Sequence, residues 1–62
     1  MEQWIASAVG KMHVNKVQQR EVAARLGVTE EYLSMILNGK RSPKNAENRI
    51  MTAIDDLIKD KS

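Results

Sequence analysis

The chain has no cysteine and a single histidine, so neither a disulfide nor a zinc site built from His and Cys ligands is available to it. No run approaches the roughly 18 consecutive apolar residues that a membrane helix needs. The first residues, MEQWIASAVGKM, carry an early acid and no basic n-region, so they do not read as a secretory signal. Lack of cysteine fits a reducing cytosol, and a cytoplasmic protein is the expectation. At 62 residues the chain is expected to be one domain, 1–62, burying only about 60% of its unfolded surface. With disulfides and metals removed, subunit pairing is the remaining usual support for so small a fold.

Charge is modest but uneven, with a net of +2. Residues 11–49 hold Lys11, Lys16, Arg20, Arg25, Lys40, Arg41, Lys44 and Arg49 against Glu21, Glu30, Glu31 and Glu47. A basic centre permits an acidic partner such as nucleic acid without demanding one; a solvated mixed-charge face has the same composition.

Proline occurs once and glycine three times, and these mark the breaks. Trp4, Ile5, Ala8, Val9 and Met12 recur at helical spacing and predict a first helix over 2–13, with Gly10 off the stripe. HVNKV reads as a connector with Asn15 as its turn residue. Residues 18–26 are rich in helix formers, Val22, Ala23 and Leu26 share a face, and Gly27 follows where a left-handed stop is wanted. Thr29 is a good N-cap for a third helix, with Glu30 and Glu31 in the first turn, favoured by the helix dipole. Leu33, Ile36 and Leu37 form its inner stripe. Asn38-Gly39 ends it, and Pro43 blocks continuation. A fourth helix begins near Asn45, with Ala46, Ile50, Ala53, Ile54, Leu57 and Ile58 as its stripe and Met51 at the edge. The tail DKS is expected to fray. No segment alternates with period two, so the fold class is all-α with four helices.

The informative stretch is 19–38. Two short helices are joined by Gly27-Val28 with almost no slack, which forces a steep crossing. Such a crossing needs a small residue at the contact, and Ala23 is placed for it. Gly27 gives the corner its backbone freedom. Val22, Leu26, Val28, Leu33 and Ile36 then point inward and fix the angle. This is a helix-turn-helix pattern over about 18–38. Taking about 100° per residue, Glu31, Ser34, Met35 and Asn38 face outward on the third helix, flanked by Glu30 and Tyr32.

QREVAARLGVTEEYLSMILNGKRSP resembles the core of the phage repressor and Cro-like (Xre-like) helix-turn-helix family over residues 17–43. The alanine at the crossing, the LGV turn, the YLS start of the third helix and the NGKRSP exit all match. The resemblance implies a compact four-helix, lambda-repressor-like domain whose third helix lies in the DNA major groove. Carried over residue by residue, it implies Glu30, Glu31, Ser34 and Met35 as base readers. It implies Gln19 as a phosphate grip that braces the reading helix, and Asn38, Lys40 and Arg41 as a phosphate-contacting exit loop. Lys44 and Tyr32 join as phosphate contacts.

Each role has a plainer rival. Met35 meets a thymine methyl or is a tolerated surface methionine; Glu31 accepts from a cytosine amino group or merely suits the helix dipole. Tyr32 contacts a phosphate or packs on the core edge. Lys40 and Arg41 are phosphate contacts or solvated loop charges. The sequence also departs from the family pattern. Glu30 and Glu31 put two acids on the helix end that would enter a polyanion, which weakens non-specific affinity and penalises wrong bases, or else suits a protein partner. Gln18 stands where the family tends to place a Ser or Thr cap, a small expected loss.

Nothing points to catalysis. His13 is alone in a connector, the serines have no base beside them, and Asp55 and Asp56 are adjacent on a helix and point apart. No Gly-rich phosphate cradle is present. No metal, cofactor or small-molecule ligand is expected, since the chain has little room for a pocket. The leading expectation is a sequence-specific transcriptional regulator, a phage or bacterial Cro-like repressor. It would bind a double-stranded DNA operator as a homodimer with half-sites about 34 Å apart. The helix-4 edge around Met51 and Ile58, with Trp4, is the expected dimer surface. The alternative is a protein-interaction module, an antitoxin or adaptor on the same fold.

Overall fold

The computed structural model describes residues 2–61. Four helices follow in order: α1 (Gln3–Val14), α2 (Gln19–Leu26), α3 (Glu30–Leu37) and α4 (Ala46–Lys61). There is no strand among the described residues, so the fold is all-α, as the periodicity predicts. The long α4 is the organiser: α1 and α2 both pack against it, and α3 packs against α2. Its Ile50, Ala53 and Ile54 meet Ile5, Ala8 and Met12 of α1, Val22 and Ala23 of α2, and Leu33, Ile36 and Leu37 of α3 in one apolar core. No polar or charged residue is buried among the described residues.

Helix ends account for how so short a chain turns three times. Gly27 is left-handed (φ 75°), and the Val28 N–H returns to the Ala23 carbonyl at 3.0 Å, closing α2 with a Schellman turn. Gly39 (φ 78°) does the same for α3, with the Lys40 N–H on the Met35 carbonyl at 2.9 Å. At the end of α1 the same turn forms without a glycine. Lys16 takes φ 58°, and the Val17 N–H reaches the Met12 carbonyl at 2.8 Å. The left-handed residue is thus Lys16 and not Asn15, which caps α1 at φ −97° and donates its amide to the Lys11 carbonyl. That turn carries Val17 inward, so a residue that reads as connector belongs to the core.

Three further differences have local causes. Val9 lies 41% exposed instead of in the α1 stripe, because the inner face centres on Ile5, Ala8 and Met12 and leaves Val9 at its edge. The tail does not fray at Asp60 and Lys61, which stay helical; Ser62 lies outside the described residues. Lys61 Nζ donates to the Lys16 carbonyl at 3.4 Å and pairs with Glu21 at 3.5 Å, while Asp60 pairs with Arg25 at 3.7 Å. Finally, the missing Ser/Thr cap at Gln18 is offset by Glu21, whose Oε1 accepts the Gln18 N–H at 3.0 Å, the Glu half of a capping box.

Candidate nucleic-acid interface

Helix α3 is anchored from behind. Leu33, Ile36 and Leu37 are buried, and Thr29 Oγ1 caps its start by accepting the Tyr32 N–H at 3.1 Å. Eight residues at about 1.5 Å each make a rod about 12 Å long. On its outer side Glu30, Glu31 and Asn38 are exposed, and Ser34 and Met35 are half-buried. Tyr32 is half-buried and packs against the core; with Leu26, Val28, Ile36 and Pro43 it lines a cavity of about 40 Å³.

The loop after α3 is folded back on the helix it leaves. The Lys40 and Arg41 N–H groups share the Met35 carbonyl at 2.9 and 3.3 Å, and the Gly39 N–H takes that of Ile36. This fixes the backbone and leaves the Lys40, Arg41 and Lys44 side chains exposed. None of the three is in an ion pair among the described residues. The Asn38 amide is not splayed outward with them. Its Nδ2 donates to the Ser34 carbonyl at 2.8 Å and to Ser34 Oγ at 3.2 Å. Gln19 is exposed at the start of α2, and its amide makes no hydrogen bond to α3 among the described residues.

Among the cations elsewhere, Lys11, Arg25 and Lys61 are ion-paired with acids, whereas Lys16, Arg20, Arg49 and Lys59 are in no ion pair among the described residues. Lys11 pairs with Asp55 at 2.5 Å and Arg25 with Asp56 at 3.2 Å, and Arg49 donates to the Leu26 carbonyl at 3.5 Å. Glu21 is held below the usual carboxylate range, chiefly by the Gln18 N–H it accepts, with Lys61 adding to the effect. Glu30 and Glu31 are in no ion pair among the described residues. The sequence pattern gives no sign of this division between committed and open charge. It depends on ion pairs between residues up to 44 positions apart, Lys11 with Asp55 being the longest. Arg20, exposed beside Gln19 and also without an ion pair among the described residues, is a further open cation that the motif leaves out.

The described residues contain no group of His, Asp and Glu placed to hold a metal ion, and no helix long and apolar enough to cross a membrane. The arrangement is one of binding: a short, rigidly backed helix offering polar groups, with a cationic loop at its end. No curated protein and no solved structure matches the chain. The family described as Helix-turn-helix matches residues 15–47, from the end of α1 to the first turn of α4 and more than half of the chain. The chain belongs to this helix-turn-helix family of Cro/Xre-like DNA-binding domains.

Proposed function

We propose that this protein is a sequence-specific transcriptional regulator, a small phage or bacterial repressor of the Cro-like kind, acting in the cytoplasm as a single domain over 1–62 and not as an enzyme. One observation carries the reading. The outer side of α3 is held rigidly from the core, and the loop that leaves it bears Lys40, Arg41 and Lys44 with no acidic partner among the described residues. Phosphate neutralisation supplies most non-specific affinity for duplex DNA, and cations already paired within the protein contribute less to it. In this reading Gln19, Tyr32, Lys40, Arg41 and Lys44 position the duplex. Glu30, Glu31, Ser34 and Met35 read base edges in the major groove. The resemblance adds Asn38 to the phosphate contacts. The regulator acts by occupancy: a homodimer covers a pseudo-palindromic operator and excludes polymerase. The half-buried Met51 and Ile58 of α4, with the half-buried Trp4, form its pairing surface.

Titrating binding to random duplex DNA with salt tests this, followed by selection of sites from a random pool. A steep loss of affinity with salt and a selected, two-fold symmetric site are expected. Absence of binding at low salt overturns the regulator and favours a protein-interaction module, the antitoxin or adaptor reading. The exposed, unpaired Glu30 and Glu31 at the start of α3 are its support.

A further inference from the structure

The contact between Asn38 and Ser34 has chemical content beyond closing a helix. The Ser34 carbonyl can only accept, so the amide atom facing it at 2.8 Å is the nitrogen. The same nitrogen lies 3.2 Å from Ser34 Oγ, and an amide nitrogen cannot accept, so the hydroxyl oxygen accepts here. A hydroxyl that accepts from one side turns its own proton elsewhere. The usual internal acceptor for a helical serine is the carbonyl four residues back, here that of Glu30, and no such bond forms among the described residues. Ser34 therefore offers an O–H donor with no partner inside the protein, on the outer side of α3.

The end of α1 isolates what is particular about this pair. Asn15 donates to the Lys11 carbonyl at 2.9 Å in the same i to i−4 geometry, but residue 11 has no hydroxyl. The carbonyl bond is common to both helix ends; only at α3 does the amide also take up a side-chain oxygen.

We propose that Asn38 is a positioning residue that fixes Ser34 as a hydrogen-bond donor toward the major groove, so that the base facing Ser34 must present an acceptor. This rests on α3 being the reading helix. Guanine, adenine and thymine all present acceptors in that groove, whereas cytosine presents only its amino donor. Ser34 thus disfavours cytosine at one operator position, and Asn38 acts through Ser34 in place of the phosphate contact that the resemblance implies for it.

Site selection from a random duplex pool, run with the full chain as wild type, Ser34→Ala, Asn38→Ala and the double variant, tests this. Circular dichroism of each variant confirms that the helices form. The wild type should show one position depleted of cytosine. Ser34→Ala and Asn38→Ala should each weaken that depletion about fivefold, the scale of one hydrogen bond, and the double variant should go no further. Asn38→Asp sharpens the test. Its carboxylate has no proton to give the Ser34 carbonyl or Oγ, so the depletion of cytosine should weaken as it does in Asn38→Ala. If the wild type selects a site and Asn38→Ala weakens all sequences alike with the preference intact, Asn38 is a phosphate contact and the inference fails alone. If the wild type selects no sequence, the regulator reading fails and takes the inference with it.

Discussion

The two ends of α2 and the C-terminal half of α4 are bound together by charge, whereas the end of α3 and its loop are not. Glu21, Asp55, Asp56 and Asp60 each lie within 4 Å of a cation, and every one of those pairs bridges α4 to α1 or α2. Lys40, Arg41 and Lys44 have no such partner among the described residues. A net charge of +2 hides this, because four of the eight acids, Glu21, Asp55, Asp56 and Asp60, are engaged in pairs within the scaffold. Local availability of charge, not its total, separates a surface that holds the fold from one suited to a polyanion.

The comparison breaks first at the core, where both regions depend on the same residues. Leu33 is fully buried and backs α3. Leu33→Ala should cost about 2–5 kcal/mol, a large part of what a domain this size has, and thermal unfolding and DNA binding should fail together. Arg41→Ala should separate the two regions instead. It leaves the melting temperature unchanged, weakens binding to every duplex about tenfold, and flattens the salt slope by about one unit. A lowered melting temperature with an unchanged slope would assign Arg41 to the scaffold.

A third contrast lies in the backbone. The turns after α1 and α3 have the same hydrogen-bond pattern, but Lys16 occupies the left-handed position in one and Gly39 in the other. A side chain is strained at such a φ. Lys16→Gly should therefore stabilise the fold by about 0.5–1 kcal/mol, the relieved strain less the extra chain entropy of glycine. Gly39→Ala should destabilise it by about 1 kcal/mol, purely through the backbone, since nothing lies within 4 Å of the added Cβ. Chemical denaturation of the two variants measures both signs.

Features written in neighbouring residues were legible before the fold was known. Thr29 before two acids, Gly27 after Leu26, and the Leu33-Ile36-Leu37 spacing fix the helix-turn-helix without tertiary information. What escaped was set by distant partners. Val17 reads as connector because its burial depends on the strained turn at Lys16. Val9 reads as core because the stripe alone does not show how far α4 covers α1. The tail reads as frayed because Arg25 and Glu21, which hold it, lie 35 and 40 positions away from Asp60 and Lys61. At the candidate interface the residue types were legible; which cations remain open, and the turn of the Asn38 amide onto Ser34, were not.

Glu21 offers the smallest and most specific way to probe the committed side. Its carboxylate accepts the Gln18 N–H and faces Lys61, and both favour the charged form, the first more strongly, so its folded pKa lies below the model-peptide value of 4.5. Folding then favours the deprotonated group. The stability this contributes is fully present above about pH 4.5, where the carboxylate is charged in folded and unfolded chains alike. It is lost as the pH falls through the lower folded value, where the folded protein must also take up the proton. Glu21→Gln keeps the size of the side chain and removes the titration. The gap in melting temperature between wild type and this variant should be constant from pH 7 to about 5 and close on further acidification. Absence of a gap at pH 7 would mean that the α2 cap owes its strength to packing that glutamine also supplies and not to the charge.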